Sequence, residues 1–184
     1  MYISDDMIEF AVQVPKDVEV RIEKDTVTVR GKLGEIKESF KLHGITHESR
    51  EGEIILRKDS KRKVDKAAVG AIAAHIKNMI RGVTKGYEYR MKIVYAHFPI
   101  NVSVEGKRVV IKNFAGEKTP RYAEVLGDVK VEVKGQELVV KGIKREEVGQ
   151  TAANIENATK VKRKDARVFQ DGIYIVSKDE KHGA

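Results

Sequence analysis

Apolar positions recur with a period of two along Val18–Glu35, "VEVRIEKDTVTVRGKLGE", and again along Ile100–Glu117, "INVSVEGKRVVIKNFAGE". A period of two marks strands with one buried face. In the first stretch Val18, Val20, Ile22, Val27 and Val29 share the spacing, and in the second Ile100, Val102, Val104, Val109 and Ile111 do. The interruptions "EKD" and "EGK" read as turns, so each stretch is predicted to be a two-stranded hairpin. A period near 3.6 appears further on. Val69, Ile72, Ala73, Ile76, Met79 and Ile80 fall on one helical face, with Ser60 near the N-cap and Gly82 expected to stop the helix. Val148, Ala152, Ile155 and Thr159 outline a shorter helix.

The two halves of the chain match beyond the hairpins. "EIILR" at Glu53–Arg57 corresponds to "ELVVK" at Glu137–Lys141, and "VGAIAAHIKN" at Val69–Asn78 to "VGQTAANIEN" at Val148–Asn157. Three matches in one order indicate a duplicated domain. The strand "IEFAVQVP" at Ile8–Pro15 opens the first copy, and "MKIVYAHFPI" at Met91–Ile100 opens the second. A helix with one apolar face must bury it, and the alternating strands supply the surface. The expected fold class is α+β: two tandem duplicated domains, each an antiparallel-rich sheet with one helix packed on one face. The short stretch "RGVTKGYEYR" at Arg81–Arg90 is expected to link them, with the boundary near Lys85, giving domains 1–84 and 85–184.

The 184 residues suffice for two cores. No cysteine is present, which removes disulfides, thiolate nucleophiles and cysteine metal sites. The N-terminus lacks the pattern of a secretion signal, and no apolar run reaches membrane-spanning length, so a cytoplasmic location with no membrane partner is expected. Thirty-six Lys and Arg against 28 Asp and Glu give a net charge of +8, which favours a polyanionic partner.

Catalytic motifs are weak. No serine stands in a Gly-x-Ser-x-Gly elbow, and no glycine-rich loop ends in Lys-Ser or Lys-Thr. His43 and His47 have a spacing that would serve a metal on a helix, but Gly44 and the β-branched Ile45-Thr46 favour strand or loop, and no cofactor is expected. His75 aligns with Asn154, which suits a polar packing role, and His97 precedes a strand start. Glu146 and Glu147 suit the positive end of the second helix, and Asp165 and Asp171 suit turns. The repeat preserves apolar spacing, glycine and alanine, which is a scaffold; function belongs where the copies differ.

They differ after the second helix. "TKVKRKDARVFQDGIYIVSK" at Thr159–Lys178 places Lys160, Lys162, Arg163, Lys164 and Arg167 ahead of a final strand, Gly172 to Ser177. A helix C-terminus accounts for one or two cations, not five. A nucleic-acid backbone can use all five, which makes them the candidate phosphate contacts. Phe169 and Tyr174 are candidates for base stacking, with core packing favoured for Phe169. A second basic loop, "KNFAGEKTPR" at Lys112–Arg121, offers Lys112, Lys118 and Arg121 either to the same ligand or to solvent.

"GVTKGYEYRMKIVYAHFPINV" at Gly82–Val102 and "KDARVFQDGIYIVSK" at Lys164–Lys178 closely resemble the sixth large-subunit ribosomal protein family in its archaeal and eukaryotic form, and "VRGKLGE" at Val29–Glu35 and "FAGEK" at Phe114–Lys118 are similar to it as well. The resemblance implies tandem α+β domains and no enzyme activity. It implies binding to large-subunit ribosomal RNA, chiefly through the C-terminal domain, near the stalk base and the region where translational GTPases dock, beside neighbouring ribosomal proteins. Carried onto this chain, the implied RNA surface runs from Lys162 through Gln170 to Gly172, with Lys118 and Arg121. A protein-interaction module on the same duplicated scaffold, and a hydrolase or metal enzyme using the His and Asp residues, for example His43 and His47 with a carboxylate, stand as alternatives.

Overall fold

In the computed structural model of the chain, residues 7–162, 165 and 167–179 are described. The chain divides into two compact units between Lys85 and Gly86. The first contains β1 (Met7–Gln13), β2 (Glu19–Glu23), β3 (Thr26–Gly31), β4 (Gly34–Ser39), β5 (Thr46–Arg50), β6 (Glu53–Asp59) and α1 (Lys63–Thr84). The second contains β7 (Tyr87–Val94), β8 (Asn101–Glu105), β9 (Arg108–Lys112), a 3-10 turn at Phe114–Gly116, β10 (Arg121–Glu124), β11 (Lys130–Lys134), β12 (Glu137–Gly142), α2 (Arg145–Ala158) and β13 (Gly172–Asp179).

The fold is α+β in each unit, with one helix, but the strand surface is divided into two sheets. In the first unit the orders are β1-β6-β5 and β2-β3-β4; in the second they are β11-β12-β7-β13 and β10-β9-β8, and every pairing is antiparallel. The predicted hairpins are β2–β3, turning at Lys24-Asp25, and β8–β9, turning at Gly106-Lys107. Each helix lies against strands of both of its unit's sheets: α1 against β1, β3, β4 and β6, and α2 against β7, β10, β12 and β13. The periodic residues fill the cores: Val69, Ile76, Val148 and Ile155 are fully buried, as are Val27 and Val29 of β3 and Val109 and Ile111 of β9. Each such side chain withdrawn from water stabilises its unit by about 1.5–3 kcal/mol.

The first helix begins near Ser60, as expected, but departs from expectation at its other end. Its N-cap is Arg62, which makes no side-chain capping bond. Ser60 instead accepts the Arg62 N–H at 3.2 Å and donates to Asp65 Oδ2 at 2.6 Å, while Lys58 pairs with Asp65 Oδ1 at 2.7 Å. These two hydrogen bonds, from Lys58 first and Ser60 second, hold the Asp65 carboxyl below its ordinary range. At the other end Gly82 does not stop the helix but is buried within it. The helix runs on to Thr84, whose Oγ1 donates to the carbonyls of Ile80 and Arg81. Gly86 then takes a left-handed φ of +73°, which turns the chain out of the helix at little steric cost. The linker is therefore Lys85-Gly86 alone. Strand β7 starts at Tyr87, and its inward residues are Tyr87, Tyr89, Met91 and Ile93. It closes at Val94, short of the expected Ile100, where the chain bends before Pro99, a residue with no N–H for a ladder.

Candidate nucleic-acid interface

The second helix ends more than a turn earlier than the first. Ala158, its last residue, is in repeat register with Met79, and Thr159 with Ile80, where α1 is still helical. The Thr159 side chain gives the reason. Its Oγ1 donates to the carbonyls of Glu156 at 3.1 Å and Ile155 at 3.4 Å, and accepts the backbone N–H of Ile173 at 2.9 Å. Thr159 is 3% exposed and Ile173 fully buried, so this hydroxyl satisfies a backbone donor that is buried away from solvent. It ties the end of α2 to the start of β13, and the chain between them becomes a loop.

Among the described residues strand β13 has no counterpart in the first unit, whose corresponding sheet has three strands instead of four. It pairs with β7 from Gly172↔Val94 onward, with a bulge between Ile175 and Ser177. Ile173 and Ile175 face inward; Tyr174 and Val176 face outward and are exposed. The loop is thus held at both ends on a packed sheet.

Within it, Lys160, Lys162, Arg167 and Gln170 are exposed, and Gly172 is buried; Arg163 and Lys164 lie outside the described residues. Asp165 organises the C-terminal part, in keeping with a turn role. Its Oδ1 accepts the Arg167 N–H at 2.9 Å, and its carbonyl accepts the N–H groups of Val168 and Phe169 at 3.0 and 2.9 Å. The Arg167 side chain is 93% exposed and meets Asp165 at 3.4 Å, a solvated pair that holds it weakly. Tyr174 donates its phenol to the Gln170 carbonyl at 2.9 Å, and its ring lies so close to Gly172 that a Cβ there would sit 3.0 Å from the ring carbon Cζ. Glycine at 172 lets the ring fold back and tether the loop. Phe169 is 42% exposed, so the expectation of core packing is corrected: the residue belongs to the loop surface, before β13 enters the sheet.

The second basic loop lies beside the end of α2. Phe114 is buried and anchors it, Asn113 and Ala115 take left-handed φ values of 60° and 51°, and the Asn113 amide donates to the Pro99 carbonyl at 3.1 Å. Lys112 and Lys118 are exposed. Arg121 points the other way. It forms a two-pronged pair with Glu117, Nε to Oε2 at 2.8 Å and Nη2 to Oε1 at 2.6 Å, and its Nη1 donates to the carbonyls of Ala158 at 2.9 Å and Lys160 at 3.0 Å. Sequence spacing singled out Arg121 as a cation but gave no sign of Glu117 as its partner. Thr159 did leave a signal, a hydroxyl in a repeat position that the first copy fills with isoleucine.

The described histidines stand in separate local settings. His43 is exposed in a turn and His47 exposed on β5, His97 is exposed in the bend after β7, and the His75 ring meets Phe40 in a tilted contact with 5.5 Å between centroids. Among the described residues no group of three or more His, Asp or Glu side chains is placed to hold a metal, and no helix is long and apolar enough to cross a membrane.

The family profile of ribosomal protein L6 matches residues 14–86 and again residues 98–172. The chain belongs to the ribosomal protein L6 family. The two L6 matches coincide with the duplicated copies, the second ending where β13 begins. The chain is 54% identical over 167 residues to the large ribosomal subunit protein uL6 of Methanosarcina mazei, covering 91% of this chain and 95% of that one. It is 51% identical over 175 residues to uL6 of Archaeoglobus fulgidus, covering 92% and 89%, and 51% identical over 168 residues to uL6 of Methanobrevibacter smithii, covering 91% and 94%.

Proposed function

We propose that this chain is a structural, non-catalytic constituent of the cytoplasmic large ribosomal subunit and binds its ribosomal RNA mainly through the second unit. The observation that carries the reading is the difference between the two copies: among the described residues only the second adds a strand, and the loop entering that strand exposes Lys160, Lys162 and Arg167. The names of the L6 relatives, as proteins of the large subunit, supply the RNA. The mode of binding is phosphate neutralisation and shape fit, with little reading of base edges. Lys118 on the neighbouring loop widens the basic face, and the exposed rings of Phe169 and Tyr174 offer stacking of about 1–3 kcal/mol per base. The location follows the family resemblance: near the stalk base, beside neighbouring ribosomal proteins and close to docked translational GTPases.

Replacing Lys162, Arg163, Lys164 and Arg167 together with alanine tests the reading. Affinity for protein-free large-subunit rRNA is expected to fall, with the salt slope reduced by about 0.7–0.9 for each lost phosphate contact and the circular dichroism spectrum unchanged. Wild-type affinity and slope in this variant would remove the loop from the interface.

A further inference from the structure

Arg121 stands on a basic loop of an RNA-binding family, and its charge invites assignment to a phosphate. Its geometry assigns it elsewhere. A guanidinium carries five N–H donors, and four hydrogen bonds are already committed: two to Glu117, one to the Ala158 carbonyl and one to the Lys160 carbonyl. Its plane lies over the buried Phe114 ring, with Cζ 4.2 Å from the centroid, and its side chain is 19% exposed. Little of the group is left for an outside anion.

Its partners explain the arrangement. A helix ends with carbonyls that have no partner inside the helix and with a partial negative charge, both of which favour a nearby cation. The last turn of α1 contains Arg81, whereas the last turn of α2 contains no basic residue. Arg121 supplies the cation from β10, 37 positions away in sequence. It grips the carbonyls on either side of Thr159, the residue whose hydroxyl holds Ile173 of β13. One peptide segment is thereby fixed from two directions at the point where the basic loop begins.

We infer that Arg121 is a positioning residue rather than a phosphate ligand: with Glu117 it clamps the end of α2 to the 117–121 loop, so that Lys118 and Lys160 present one basic face to RNA. Glu117 is then a supporting group, although its charge alone would repel phosphate. The inference rests on the RNA-binding reading above for its consequence, but the clamp itself belongs to the free protein.

Two conservative variants of the full chain separate the roles. Arg121→Lys keeps the charge but loses the planar fork, and Glu117→Gln removes a negative charge and half of the clamp. Acting as a clamp, both variants bind protein-free large-subunit rRNA about tenfold more weakly. In the free protein, the amides of Thr159 and Lys160, bonded to the carbonyls of Glu156 and Asn157, exchange hydrogen at least about tenfold faster. Acting as a phosphate ligand, Arg121→Lys binds as wild type does and Glu117→Gln binds more tightly; either result overturns the inference. Faster exchange with wild-type affinity also overturns it, since the clamp would then not shape the binding face. Should the wild-type chain itself fail to bind the RNA, the RNA-binding reading falls, while the exchange rates still decide the clamp: unchanged protection in Arg121→Lys refutes it.

Discussion

Thr159 carries more of the architecture than its size suggests. It ends α2, releases the chain into a loop and receives the first inward-facing residue of β13. Thr159→Val keeps the shape and removes the hydroxyl, leaving the buried Ile173 N–H without a partner. Such a group costs about 1–3 kcal/mol. Denaturant unfolding of the second unit is expected to show a loss of that size, with Thr159→Ser recovering most of it; a valine variant as stable as wild type would contradict this. At this scale the sequence was half legible. The position of Thr159 on the buried helical face follows from spacing alone. Its bond to Ile173 spans 14 positions and Arg121 reaches Ala158 across 37, and no local period encodes partners at such separations. Phe169 shows the same limit: an aromatic next to a strand reads as core until the point where the strand enters the sheet is known.

Elements were legible where a period is sustained. The two hairpins and the apolar face of α1 follow directly from alternation and helical spacing, and the strand after the basic run follows from "GIYIV". Ends were less legible, because two glycines compete to finish α1 and only Gly86 sits where the left-handed turn is needed. The division of each strand set into two sheets was not legible either, since alternation marks a buried face without naming the neighbouring strand. The start of α1 depends on charge. Lys58, Ser60 and Asp65 fasten the first helical turn to the end of β6, and the Asp65 carboxyl is held below its ordinary range. A lowered folded-state value means the ionised form is favoured by folding. The stabilisation is complete at neutral pH, above the unfolded value, and disappears as pH falls through the folded one. Asp65→Asn should lower the melting temperature of the first unit at pH 7, and the gap from wild type should close below about pH 4. A gap that stays constant down to pH 2 would show that the carboxylate charge is not involved.

At the scale of the whole molecule, the two copies share a scaffold, and the proposed function falls on what the second copy adds to it. Each copy buries its own helix on its own sheets: Ile76 and Ile155, in repeat register, are both fully buried. Among the described residues the added strand and the basic loop belong to the second copy only. If the second copy carries the binding, as proposed, destabilising each copy at the same place should have unequal consequences for binding. Ile76→Ala and Ile155→Ala each remove a buried side chain from an equivalent site, and each is expected to cost its unit about 2–5 kcal/mol. Near the melting temperature of the weakened unit, Ile155→Ala should lose rRNA affinity in proportion to the fraction of the second unit that is unfolded. Ile76→Ala, at the corresponding temperature for the first unit, should keep most of its affinity and its full salt slope, because the exposed cations at positions 160, 162 and 167 remain on an intact sheet. Calorimetry paired with filter binding on the two variants reads both quantities. Equal losses of affinity would mean that the first unit contributes directly to the RNA contact, and the functional division between the copies would have to be abandoned.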